Sequence, residues 1–517
     1  VFLPGIVVVL GTIWTLGLMS LLGFRLSVVS VMVPPLVLAL GSSYSIHVLN
    51  QYYRSARVHT EDKMWIAASV AHINRTISLA ALTTIIGFVS LVSGTLPQVR
   101  EFGLATSFGI FFCGLLSLFL FPAVVPLLKP PTARERDRVL EGHLSRSLQT
   151  YSQWVVKGRY VILAFLILVA LVFGLLLPRV HYQTDYTAYQ KKSESAIDDY
   201  LYSTRTFGGF VFLYITLTAP EGESNYFLRP KVLQRIARFE EVLEQDQDIS
   251  YLSSFSAYIR FMNQTMTGKR TIPERRAPIL LLSRYFRSIA VSPGNRQFAE
   301  ALVNQDFSRL TLTLRVYNSE TNKPMDEKRM NALIERLTDR MQRLLDADTQ
   351  PVLWGDSLAY LSISEILSRD QIKSVLVSLV LILAVTTVAF RSIKLGLFSL
   401  IPIFTGIMLT ISIMTLVKIP FDVVTVMFTS VAIGVGIDDS IHLIIQYRHQ
   451  QGNIAQALSM AGRPILLTSA SLIAGLLVLL LSSFLPVVYF GLLISLVLVT
   501  TTLGALIILP AILSLSS

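Results

Sequence analysis

The sequence of 517 residues predicts a polytopic α-helical membrane protein with two tandem sets of transmembrane helices and one large external α+β domain. Three observations predict it. Apolar residues make up 52% of the chain and charged residues 15%, a balance typical of integral membrane proteins. Ten apolar runs approach or exceed the ~18–20 residues that cross a bilayer as helix. A long polar stretch with strand and amphipathic-helix periodicity separates the fifth run from the sixth.

The ten runs are 1–22, 27–50, 77–96, 102–128, 160–177, 374–390, 395–417, 421–445, 464–484 and 487–513. Basic residues gather in alternate connectors: Arg54, Arg57, Lys63 and Arg75; then Arg134, Arg136, Arg138, Arg146, Lys157 and Arg159; then Arg391 and Lys394; then Arg448 and Arg463. Placing these connectors in the cytoplasm threads all ten spans. The net charge of +11 therefore reads as a topology signal, and no nucleic-acid partner is expected. The expected organisation is first-half helices over 1–128, a cytoplasmic linker over 129–159, a helix over 160–177, a periplasmic domain over 178–373 and second-half helices over 374–517. Cys113 is the one cysteine and sits in an apolar run, so no disulfide forms within the chain.

In the external stretch, residues 210–217 and 310–316 alternate like strands. Val232, Ile236, Phe239 and Leu243 mark one amphipathic helix; Met330, Leu333, Leu337, Met341 and Leu344 mark another. The order strand, helix, strand occurs twice and predicts two similar, ferredoxin-like subdomains. Asn263-Gln264-Thr265 is a glycosylation sequon, a short pattern with a high false-positive rate. No nucleophile, metal-ligand or phosphate-binding signature is apparent, so neither an enzyme nor a cofactor is expected.

A shift of 395 residues lays residues 26–53 on 421–448, matching Val28, Val29, Val31, Met32, Gly41, Ser45, Ile46, His47, Gln51 and Tyr52 with their counterparts. After a seven-residue shortening, Arg75 pairs with Arg463, Gly87 with Gly475, Phe102-Gly103 with Phe490-Gly491 and Pro122-Ala123 with Pro510-Ala511. Matches at Gly, His, Arg and Pro exceed what aligned apolar runs supply by chance. Tandem halves of one orientation are a transporter architecture. Val1 aligns with Gly396, and the first half has no counterpart of residues 154–395. With no initiator Met, the expectation is a fragment whose first external domain is absent.

Residues 434–450, GVGIDDSIHLIIQYRHQ, set Asp438 and Asp439 side by side inside the eighth run. A carboxylate near the bilayer centre costs ~2.5–3.5 kcal/mol on insertion scales. Desolvation and mutual repulsion lead us to expect at least one retained proton, with the two acids titrating as a unit. His442 lies four residues from Asp438 and three from Asp439, within reach of either on a helix. Adjacent side chains diverge by ~100°, so the acids cannot face one partner equally. Tyr44 is a candidate hydrogen-bond partner, and Thr468 and Ser469 are candidates to extend a chain of hydroxyls. The plainer alternatives are acids that brace packed helices or are hydrated at the cytoplasmic edge, structural roles for His47 and His442, and ordinary packing at Thr468 and Ser469. Gly434, Gly436 and Gly41 read as close-contact positions between helices.

The two halves, the external domain after a span, Phe207-Gly208-Gly209 after the fifth span and the string Gly434–His442 resemble the resistance–nodulation–division superfamily. The chain is most similar to its MMPL and hopanoid-exporter branch, which shares sterol-sensing-domain helices with Patched-like proteins. The family pattern is roughly Gly-x-Gly-x-Asp-Tyr-x-Ile-His. The resemblance implies proton-driven export of lipids or other hydrophobic compounds from a bacterial inner membrane, with an acid of the fourth or tenth helix carrying the proton. Asp438 occupies the family's acid position, and Asp439 stands where Tyr is usual. The first half has Ser43-Tyr44 instead. The resemblance also implies that Ser43, Tyr44, Asp438 and Asp439 meet at a pseudo-two-fold axis. Expected partners are membrane lipids or hydrophobic small molecules, protons, a second copy of the chain and a periplasmic lipid carrier. Two rivals stay open: a sterol-sensing-type receptor that binds lipid without pumping, favoured by the missing acid at Ser43, and a protein-translocation helper of the SecD/SecF type.

Overall fold

The computed structural model describes residues 2–58, 63–124, 151–180, 195–289, 293–321 and 327–516, with positions 189 and 325. Most of the basic linker, residues 129–150, lies outside them. The chain divides into two units: Val1–Gln183 with Glu365–Ser517, and Thr184–Ser364.

In the first unit the chain runs through α1 (Phe2–Leu21), α2 (Val33–Val58), α3 (Lys63–Val89), α4 (Pro97–Val124) and α5 (Arg159–Leu176). The second unit holds α6 (Ser195–Phe207), β1 (Val211–Thr218), α7 (Pro230–Glu244), β2 (Ile249–Ser253), α8 (Phe255–Thr267), α9 (Arg276–Ile289), α10 (Pro293–Leu302), β3 (Arg309–Val316), α11 (Glu327–Leu344) and β4 (Val352–Trp354). Then follow α12 (Asp356–Phe390), α13 (Ile393–Leu416), α14 (Phe428–His449), α15 (Ile454–Leu477) and α16 (Leu485–Ser516).

Among the described residues, ten helices are long and apolar enough to cross a membrane. Helix is the form that lets each span satisfy its own backbone polar groups in hydrocarbon. The ninth span was expected to start at Pro464. Instead α15 begins at Ile454, because Asn453 caps it through a bond from Gln456 N at 3.2 Å, and Pro464 is carried inside the helix.

The packing repeats as the sequence does. A β-carbon on Gly434 would lie 2.8 Å from Gly87 Cα, so α14 crosses α3 in backbone contact. The equivalent crossing of α2 and α15 brings Gly475 against Ala39, where an added β-carbon would lie 2.9 Å from Ala39 Cβ. Gly41 abuts Cys113, and its counterpart Gly436 abuts Thr501. At the entries to α2 and α14, Ser27 with Ser30 and Asp422 with Thr425 exchange reciprocal side-chain-to-backbone bonds. Two pairs of equivalent residues also touch each other, Phe102 with Phe490 and His47 with His442. A residue meets its own equivalent only beside a rotation axis, so these pairs mark the pseudo-two-fold.

The external unit corrects one expectation. Its two strand–helix–strand segments do not form separate subdomains; they interleave in a single antiparallel sheet of order β2-β3-β1-β4. This is one ferredoxin-like arrangement. The alternating face of β1 (Leu213, Ile215, Leu217) and that of β3 (Leu310, Leu312, Leu314) share one core with Leu233, Ile236 and Phe239 of α7 and with Leu333 and Leu337 of α11. Neither segment has enough strands to bury such a face alone. Gly208 and Gly209 take φ of 74° and 93° at the entry to β1, where a β-carbon on Gly209 would lie 2.8 Å from Val316 O. The sequon asparagine is buried: Asn263 Nδ2 donates to Lys269 O (3.1 Å) and Thr271 O (2.8 Å), holding the turn after α8.

Candidate functional site: the acid pair of α14

Helix α14 lies in the most enclosed of the ten spans. Gly434 admits α3 to backbone distance and Gly436 packs on the Thr501 side chain of α16; Asp439 is buried there and Asp438 is partly buried. The helical step sends the two carboxylates to different partners.

Asp439 is buried against α15 and α16. Its Oδ2 accepts from Thr502 Oγ1 at 2.6 Å and from Ser469 Oγ at 3.1 Å, and the two hydroxyls lie 2.9 Å apart. The three groups form a closed triangle of oxygen contacts. Two hydroxyl hydrogens can fill two of its edges when the carboxyl is ionised. All three are filled only when the carboxyl carries a proton.

Asp438 faces the axis. Its Oδ1 lies 3.2 Å from His442 Nε2, one turn on, and its Oδ2 lies 3.8 Å from His47 Nε2 of α2. The two imidazoles stack with centroids 4.2 Å apart and planes 14° apart. The ligating atoms of His47, Asp438 and His442 fall within 4.8 Å of one another. As a metal site the arrangement fits poorly. An ion bound by both Nε2 atoms must sit near both ring planes, at about 2.0–2.1 Å from each nitrogen, and near-parallel stacked planes meet far from either atom.

Tyr44 is buried, beside Thr84 and within electrostatic reach of Asp438. Ser43 is also buried, but its hydroxyl makes no hydrogen bond among the described residues. Thr468 is spent within its own helix, donating to Pro464 O at 2.9 Å and Ile465 O at 3.0 Å. Of the candidates, the structure therefore joins Asp439 with Ser469, and Asp438 with His442. Ser43 and Thr468 stand outside both groups. Gly434 and Gly41 lie at tight helix contacts, and Gly436 packs on Thr501 with more room, 3.3 Å from an added β-carbon.

Two residues of the site carried little signal of their own. Thr502 was embedded in an apolar run, where the triplet Thr500-Thr501-Thr502 was its trace. His47 was visible through its alignment with His442.

The MMPL family model matches residues 243–517, more than half the chain. The chain belongs to the MMPL family. The MMPL match takes in Asp438, Asp439, His442, Ser469 and Thr502. A second model, the sterol-sensing domain of SREBP cleavage-activation, matches residues 2–137, which hold Ser43, Tyr44 and His47. A curated membrane protein of Methanocaldococcus jannaschii is 31% identical over 123 residues, 24% of this chain and 32% of that one. The match thus spans about a third of that relative. This MMPL protein is a multi-pass membrane protein with an external domain.

Proposed function

We propose that the chain acts as a transporter of hydrophobic compounds of the resistance–nodulation–division type, exporting lipids from a bacterial inner membrane at the expense of proton flow. In this reading the external unit faces the periplasm and the basic connectors face the cytoplasm. The observation that carries it is the triangle of Asp439, Ser469 and Thr502, which is one hydrogen short when the carboxyl is ionised.

Protonation of Asp439 completes the triangle and ties α14 to α15 and α16. Loss of the proton leaves an anion beside Asp438 and an oxygen contact with no hydrogen, which favours separation of the helices. Asp438 and the imidazole pair form the second element. Two imidazolium rings 4.2 Å apart would repel, by about 4 kcal/mol at an effective dielectric constant of ~20, which favours one extra proton on the pair over two. That proton strengthens the contact of Asp438 with either its own helix or His47 of the other half. Each proton that crosses releases ~2.3 kcal/mol per 100 mV of membrane potential.

The test is transport of a fluorescent lipid in proteoliposomes under an imposed pH gradient. Asp439→Asn and Asp438→Asn should each abolish gradient-driven transport while leaving the protein folded. Undiminished transport by Asp439→Asn would remove the proposal.

A receptor that binds lipid without pumping is the second reading. It is favoured by the sterol-sensing match over residues 2–137 and by Ser43, which stands where the second half has Asp438. Lipid binding that is unaffected by the gradient, with no net movement, would select it.

A further inference from the structure

The external unit carries a basic surface that the acid pair does not involve. Residues 268–288 contain Lys269, Arg270, Arg275, Arg276, Arg284 and Arg287 against a single acid, Glu274. All six cations are exposed. Arg287 is held by Gln305 O and the Phe307 ring. The other five make no ion pair with the described residues. Elsewhere in the unit several arginines are matched to acids: Arg229 to Glu223, Arg260 to Glu240, Arg329 to Asp248 and Arg340 to Asp246. Arg205, Arg238 and Arg309 also lack an ion pair with the described residues, but they are scattered, whereas Lys269, Arg270, Arg275, Arg276 and Arg284 are clustered in sequence.

Helix α9 is apolar on two sides. Ile279, Leu282 and Phe286 enter the core. On the outward side Leu280, Leu281 and Tyr285 are 38%, 51% and 45% exposed, interleaved with Arg284. A helix solvated on that side would carry polar residues there. Leucine and tyrosine set among arginines, with no acids, match a helix lying in a lipid headgroup layer, where the cations meet phosphates and the apolar groups enter the acyl boundary. Helix α8, against which α9 packs, adds exposed Phe261 and Met266.

We propose that the turn over 268–275 and the outward side of α9 form a docking surface for an anionic phospholipid bilayer. An acidic protein is the competing occupant. It is disfavoured because the chain is itself anchored in a membrane, so phospholipid is present at high effective concentration, and because the apolar residues would need a partner groove as well.

The test uses the full chain in nanodiscs, with Leu281→Cys labelled by an environment-sensitive fluorophore. The unsubstituted chain, whose Cys113 is buried, is the labelling blank. In one arm vesicles containing about 30% phosphatidylglycerol are added to nanodiscs of neutral lipid; in the other the nanodisc itself carries that lipid. A blue shift in either arm, absent with neutral lipid and reversed by 0.5 M salt, is expected. The combined change Arg275→Glu, Arg276→Glu and Arg284→Glu alters exposed positions only and should weaken binding more than 100-fold, at roughly fivefold or more per cation. Leu281→Ser with Tyr285→Ser, read by vesicle co-sedimentation, should weaken it roughly tenfold. No shift in either arm, an equal shift with neutral lipid, or a shift that survives both salt and charge reversal would overturn the proposal. So would a response to soluble polyglutamate without a response to vesicles.

Discussion

The two halves of the membrane unit share a backbone plan and differ in their chemistry. Glycine crossings, entry caps and axis contacts recur at equivalent positions, but the hydroxyl-and-carboxyl triangle does not. The equivalents of Asp439, Ser469 and Thr502 are Tyr44, Ala81 and Gly114. In the first half Gly114 faces Ala81 without a polar side chain on either, and a β-carbon added to Gly114 would meet Ala81 Cβ at an ordinary 3.5 Å. The equivalent of Asp438 is Ser43, whose hydroxyl is buried without a bond among the described residues. One half thus holds two carboxyls with a pair of hydroxyls, and the other presents the Ser43 and Tyr44 hydroxyls and no acid, while each contributes one imidazole to the stacked pair. The difference teaches that symmetry fixes how the helices pack while the acid pair belongs to one half, which under the proposed function is the half that would sense protons.

The largest effect should come from exchanging equivalents. Asp439→Asn is expected to reduce gradient-driven lipid transport at least 100-fold, whereas Tyr44→Phe, at the same place in the first half, should cost less than about fivefold. Equal loss in both variants, measured as initial rates in proteoliposomes, would break the claim that the halves have different roles.

Next come the edges of the triangle. Thr502→Val removes the 2.6 Å bond to Asp439, and Ser469→Ala removes the 3.1 Å bond. Each should slow transport roughly fivefold, since a neutral hydrogen bond within a buried network contributes about 1 kcal/mol. Thr468→Val is the internal control, because its hydroxyl serves only α15, and it should stay within about twofold of the unsubstituted rate. A larger loss at Thr468 than at Thr502 would replace the triangle with another path.

Much of this frame was legible in the sequence, for physical reasons. Hydrocarbon demands long apolar runs, so the ten spans stand out by length. Helical contact at backbone distance demands residues with little or no side chain, so Gly87 and Gly475, and Gly41 and Gly436, recur in register. The partners of Asp439 were harder to read. Ser469 and Thr502 come from two other spans, and no spacing within one helix states which face meets a neighbour. The same limit hid His47, whose equivalence with His442 was plain but whose contact with it depends on where the axis runs. The external sheet was misread because alternation identifies strands without stating which sheet they join.

A smaller effect on transport is expected at the crossings. At Gly434 a β-carbon would press on Gly87 Cα at 2.8 Å. Gly434→Ala should lower stability by about 1–3 kcal/mol through overpacking and slow transport a few-fold. Ala39→Gly removes the corresponding β-carbon from the other crossing and should cost about 1 kcal/mol or less. Thermal unfolding in detergent separates the two. Equal destabilisation would mean that the crossings are closer equivalents than their residues suggest.

The smallest effect on transport, none, is expected for the buried acid of the external unit, and it sharpens the contrast with Asp439. Glu240 is fully enclosed, but it is braced by the Arg260 guanidinium at 2.8 Å and by the hydroxyls of Ser256 (3.1 Å) and Ser254. Burial pushes its carboxyl up to about 7, against the opposing pull of Ser254, Arg260 and Ser256. The folded form then keeps a proton that the unfolded chain releases above about 4.5. This contribution to stability is complete below pH ~4.5 and is lost as pH rises to about 7, up to about 3 kcal/mol in all. Glu240→Gln, neutral throughout, should flatten that slope in unfolding followed by Trp354 fluorescence while leaving transport unchanged. A carboxyl tied to a guanidinium and two hydroxyls is suited to holding α7 against α8. A carboxyl whose hydrogen bonds are all to hydroxyls, as those of Asp439 are, can take up a proton without leaving a buried cation unpaired. A transport defect in Glu240→Gln would contradict that division of labour between the two enclosed acids.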